Sequence, residues 1–210
     1  MNTATLIAHA LLEDLPGADQ QTIDEIMDII LDVVDRVKSG NPRMDRQRFE
    51  QEVNPLLAEW NVKFTSNDPD LNRYHVPGKA GIDGVIMATP QRINRDEFAY
   101  TREVLSHELV HIDQMWRAVQ TGDIAKMFKS AHDRMMPGGE LDYNKYQTDP
   151  HEITAHARSL VDRFRRQHKT RAQAAQTLRH EPVGQLKHIS AKAHKRFLKR
   201  AAGYAQQLPT

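Results

Sequence analysis

A chain of 210 residues with 39% hydrophobic side chains and a mean hydropathy of −0.67 has the composition of an ordinary soluble protein, long enough to bury one core and carry a helical appendage. No apolar run approaches the roughly 18–20 residues that cross a bilayer, and the opening MNTATLIAHALLEDLPGADQ lacks the basic start and apolar centre of a secretion signal, so a cytoplasmic protein with no membrane partner is expected. The absence of cysteine excludes disulfides and thiolate ligands, so any metal must be held by histidine and carboxylate.

The net charge of +1 conceals a polarity. Residues 1–60 carry 12 acidic and 5 basic side chains, whereas residues 158–200 carry 13 lysines and arginines against Asp162 and Glu181 alone. Such an excess points to an anionic partner for the C-terminal part, although charge runs more often simply face water.

In chain order, the first pattern is helical. In TIDEIMDIILDVVDRVKSG the residues Ile23, Ile26, Met27, Ile30, Val33, Val34 and Val37 recur at three- and four-residue spacing, which marks one buried face. Thr22 and Glu25 have the spacing of a capping box at its start, and Gly40 with Pro42 marks its stop. A second helix is expected over 45–59. From 60 to 92 the pattern changes: WNVKFTS, NRYHVPGKA and GVIMATP read as three strands of a small antiparallel or mixed sheet, divided by turns at Asn67-Asp68-Pro69 and from Gly78 to Gly84. A long helix over 94–120 follows, with Phe98, Leu105, Leu109, Ile112, Trp116 and Val119 on one stripe and Gly122 at its end. MMPGGELDYNKYQTDP has the composition of a loop. PHEITAHARSLVDRFRRQHK then opens another helix with Pro150 at its first position, and residues 184–206 are expected to form a basic helix. The fold class is α+β, the sheet packing on the long helix with additional helices at both ends.

Inside the long helix lies HELVH, residues 107–111. His107 and His111, four apart, project from the same helical face one turn from each other, and both imidazoles can reach one Zn²⁺ at about 2.0–2.1 Å. Glu108 is then aimed at the open position of the metal, where a carboxylate can take the proton of an attacking water. Neither histidine falls on the apolar stripe, so core packing does not account for them. A third ligand must come from elsewhere. Glu152, in the first turn of the helix opened by Pro150, is the best placed, but Asp149 as N-cap and Glu152 at the third position also form an ordinary capping box.

HELVHIDQ followed by Tyr146, Pro150, Glu152, Ala155 and Ala157 resembles the minimal gluzincin-type zinc metallopeptidases of bacteria and phages. The resemblance covers roughly residues 94–158. It implies a zincin-like fold with zinc held by His107, His111 and Glu152 and with Glu108 as general base, and says nothing specific about the two ends; the domain itself is taken as residues 1–180, with residues 181–210 as a basic C-terminal helix packed on it. The implied partner is a protein or peptide substrate, and for a phage-encoded chain the implied location includes the virion. The chain departs from larger relatives of this kind. Arg117 stands where a metzincin has its third histidine, and His156 stands where an acidic residue often orients a ligand. Asp142 is a rival third ligand. Tyr146 is a candidate oxyanion donor, with Tyr143 and His156 as further candidates, and His156 is also a candidate for orienting the ligands. Specificity is expected to come from an edge strand, taken as GVIMATP, and from the loop 135–147. Two other functions compete: a nucleic-acid-associated protein acting through the basic segment 158–200, and a structural zincin-fold component with little turnover.

Overall fold

The computed structural model describes residues 17, 19–37, 45–74, 76–90, 95–134, 136, 141–180 and 189–210. The chain divides into two compact units, Met1–Ile124 and Ala125–Thr210. Among the described residues, helices predominate, a small mixed sheet completes the α+β class, and no helix is long and apolar enough to cross a membrane.

In the first unit, α1 (Gln20–Val37) buries all seven residues of the expected apolar face. Its start differs from the expectation. Asp19 is the cap, its Oδ1 accepting from the Thr22 N–H at 2.9 Å and its Oδ2 from the Thr22 hydroxyl at 2.7 Å, so Thr22 is the capped residue rather than the cap. Gly40 and Pro42 lie outside the described residues. The second helix, α2 (Arg46–Leu56), is shorter than 45–59 because it tightens into a 3-10 turn at Ala58–Trp60, after which Asn61, in the left-handed region, turns the chain into β1 (Val62–Thr65). The Asn54 side-chain amide takes both the N–H and the carbonyl of Phe64 at 2.8 and 2.9 Å, fastening α2 to the outer margin of β1.

Part of the expected middle strand is helical. Asp68 Oδ1 accepts from the N–H groups of Asp70 and Leu71 and Pro69 occupies the first turn, so the expected turn instead starts α3 (Pro69–Tyr74). The strand proper, β2, is Gly78–Gly81, and the span taken for a turn from Gly78 is therefore mostly extended. β3 (Gly84–Ala88) follows directly. The order is β1-β3-β2, with β1 parallel and β2 antiparallel to β3. GVIMATP is thus the central strand and not an edge. The chain reverses twice between β1 and β3, so β3 returns parallel to β1 and is inserted between β1 and the hairpin partner β2.

The long helix α4 (Arg95–Thr121) packs on β2, β3 and α1. Leu105, Leu109, Ile112 and Val119 of its expected stripe are buried, but burial extends beyond the stripe: every residue from Val104 to Val110 is buried. It ends at Gly122 (φ +75), where the Gly122 N–H reaches the Val119 carbonyl at 3.1 Å and the Asp123 N–H reaches the Ala118 carbonyl at 2.7 Å, a Schellman closure that favours glycine.

The second unit is helical. It runs from α5 (Ile124–Asp133), whose first residue belongs to the first unit, through α6 (Tyr143–Thr148), α7 (Pro150–Arg166) and α8 (Arg171–His180) to α9 (Ala191–Ala205). The segment expected as a loop contains α6, and the helix expected to continue through residue 169 stops at Arg166, with His168 (φ +52) reversing the chain into α8. Of the expected 184–206 helix, residues 184–188 lie outside the described residues, and the described part is α9, capped by Ser190 on the Ala193 N–H at 3.2 Å. α9 packs along α7 and α8 through Ala193, Phe197, Ala201 and Ala205 against Ile153, Ala157, Val161, Phe164 and Ala174. The alanines allow close helix approach while the two phenylalanines fill the volume between.

Candidate metal centre

The first half of the expected site lies in the buried middle of α4. His107 is 7% exposed and Glu108 8%. The Nε2 atoms of His107 and His111 lie 3.1 Å apart, with ring centroids 4.8 Å apart and planes at 80°. Two nitrogen donors of a tetrahedral ion, each about 2.0–2.1 Å from it, lie about 3.4 Å from one another, so the observed separation suits a shared cation. The His111 Nδ1 is 3.0 Å from the Gln114 Oε1. An amide oxygen can only accept, so Nδ1 carries the proton and Nε2 presents its lone pair, the tautomer a metal ligand needs. Gln114 closes the stretch HELVHIDQ, but the spacing of the histidines alone gives it no role.

Gly78 of β2 meets α4 beside Glu108. A Cβ there would come 2.8 Å from Val104 Cγ1, 3.1 Å from Met87 Sδ and 3.2 Å from Glu108 Cγ, so only a glycine lets the edge strand lie this close to the carboxylate-bearing turn. The edge next to Glu108 is therefore GKAG. A cleft of about 350 Å³ opens next to this turn, lined by Pro77, Met87, Thr89, Glu97, Tyr100 and Val104.

The other expected residues belong to the second unit. Glu152 stands in the first turn of α7 and is 3% exposed. Asp149 caps that helix through the His151 N–H at 2.7 Å and accepts from the Ser130 hydroxyl at 2.6 Å, while its own N–H reaches the Tyr146 carbonyl at 3.1 Å. The Asp149 N–H that Glu152 would take in a capping box therefore already has an acceptor. One oxygen of Glu152 instead pairs with the Arg134 guanidinium. Arg134, 18 residues away in sequence, carried no signal in the sequence pattern. His156 is exposed one turn further along α7, with a ligand atom within 4.8 Å of one of Glu152.

Tyr146 is half-buried in α6, with the Arg134 Cζ 5.6 Å from its ring centroid and the exposed ring of Tyr143 6.2 Å away. Asp142 has a structural task. It caps α6 through the Lys145 N–H at 3.1 Å and lies 3.5 Å from the Lys145 ammonium. The Lys145 backbone bond, reinforced by the lysine side chain, holds the Asp142 carboxyl below the ordinary 3.8.

The structure thus brings His107 and His111 together beside Glu108 within one unit, and Glu152, His156 and Arg134 together within the other. Comparison of the chain with protein-family models, with curated proteins and with solved structures gives no match.

Proposed function

We propose that the chain is a zinc-dependent metallopeptidase of zincin-like fold, with His107, His111 and Glu152 as ligands and Glu108 as general base. The observation that carries this reading is the His107–His111 pair, whose Nε2 atoms lie 3.1 Å apart with the His111 tautomer set by Gln114. Bound zinc supplies a Lewis acid that acidifies water and polarises a peptide carbonyl. Glu108 takes the proton of the attacking water and returns it to the leaving amine nitrogen as the C–N bond breaks. Arg134 engages one oxygen of Glu152 and lowers the cost of burying the carboxylate. Tyr146 is the candidate hydrogen-bond donor to the developing oxyanion, and His156 the candidate for orienting Glu152. Asp142, whose carboxylate caps α6, is the weaker candidate for third ligand.

Peptide-library cleavage with and without a chelator tests this reading, together with Glu108→Gln. The variant is expected to keep its zinc and lose on the order of 10²–10⁴ in rate, the usual contribution of a general base. A Glu108→Gln protein that cleaves as fast as the parent would overturn it, and a zinc-loaded parent that cleaves nothing would favour the structural alternative.

A further inference from the structure

The peptidase reading leaves the basic C-terminal part without a task. Among the described residues from Arg163 onward there is not one aspartate or glutamate. In α9 the cations Lys192, Lys195, Arg196, Lys199 and Arg200 are all exposed, while Ala193, Phe197, Ala201 and Ala205 are buried in the core of the unit. At about 100° per residue, the five cations occupy an arc of about 140° whose centre lies about 150° from that of the buried arc. The helix therefore presents an unbroken cationic face with its apolar face fully used.

Stability does not account for this arrangement. Lys192 lies in the first turn, where the positive end of the helix dipole disfavours a cation. Lys192 with Arg196, Lys195 with Lys199, and Arg196 with Arg200 are like-charged pairs four apart, each of them destabilising. A face whose charges work against its own helix is explained by an external anion. The aromatic side chains narrow the class of partner. Phe164 and Phe197 are buried in the core and Tyr204 packs against it, so none lies open for stacking on bases.

We infer that the exposed face of α9 binds the phosphate backbone of double-stranded nucleic acid without reading its sequence. The lysines and arginines neutralise phosphates and release counterions, so affinity must fall steeply with salt. The inference is independent of the metal centre, since none of these residues belongs to it.

The test is fluorescence anisotropy of the 210-residue protein with a labelled duplex of about 20 base pairs of arbitrary sequence, titrated from about 50 to 200 mM KCl. Binding is expected at 50 mM, with affinity falling on the order of 100-fold across the range if about four phosphates are engaged. The triple variant Lys195→Gln, Arg196→Gln, Lys199→Gln should lower the slope of log affinity against log salt by about 0.9 for each residue replaced. Its melting temperature should stay the same or rise, because the repulsion is relieved, and its zinc content should be unchanged. Absence of duplex binding at 50 mM, an unchanged slope in the triple variant, or binding to phosphatidylserine vesicles but not to the duplex would each overturn the inference. A lowered melting temperature with unaltered binding would show the charges to be structural, and would overturn it as well.

Discussion

His107 and His111 in the first unit, and Glu152 and His156 in the second, are both pairs four residues apart on one helix, yet their surroundings differ. The histidines sit in the middle of a 27-residue helix, His107 inside a fully buried stretch and the half-buried His111 at its end, and the partner that orients His111 comes from the same helix. Glu152 stands in the first turn of α7, and its ion-pair partner Arg134 comes from the segment after α5. The contrast separates two ways of preparing a ligand. In one, covalent spacing along a rigid helix sets the geometry of the two rings. In the other, a buried carboxylate needs positive charge beside it at all times, and the guanidinium provides it.

Removing a histidine should have the largest effect. His107→Ala or His111→Ala is expected to abolish stoichiometric zinc in elemental analysis of purified protein, because neither has a substitute on α4. One zinc per chain retained in both variants would place the site elsewhere.

The next test concerns the second unit. Glu152→Gln should lose zinc and hydrolysis, since a neutral amide is a much poorer zinc ligand than a carboxylate. Because Arg134 would lose an anionic partner, helix content and melting must be recorded alongside. Asp142→Asn should keep both activities, since asparagine caps a helix about as well as aspartate. The opposite pattern would transfer the ligand role to Asp142.

Gln114→Leu is expected to do least. It leaves both ligands in place and removes only the acceptor that holds the His111 tautomer, so zinc affinity in a competitive chelator titration should weaken about 10–100-fold. An unchanged affinity would mean that the helix alone orients the ring and that the hydrogen bond is incidental.

What could be read in advance was what depends on near neighbours in sequence. The seven core residues of α1 follow from a period of three and four, and the His107–Glu108–His111 spacing guarantees a shared helical face before any tertiary contact forms. The identity of the edge strand could not be read this way. GVIMATP is apolar and β-branched enough for either a margin or a centre, and only the pairing of Val62 with Val85 and Gly78 with Met87 places it in the middle. Asp68-Pro69 is equally good as a turn and as a helix start, and the backbone N–H groups that Asp68 satisfies decide for the helix. The Glu152 capping box failed for a related reason. Its motif was present, but the Tyr146 carbonyl had already taken the Asp149 N–H, and a distant arginine drew the carboxylate away.

The side-chain amide of Asn54 has a further effect on how the protein meets other chains. β1 turns the backbone groups of Val62 and Phe64 away from β3, and both outward N–H groups already have acceptors, from the Leu57 carbonyl at 3.4 Å and from Asn54 at 2.8 Å. That side of the sheet gives an incoming strand no row of open donors to pair with, which protects a four-residue margin against the edge-to-edge association that leads to swapped dimers and fibrils.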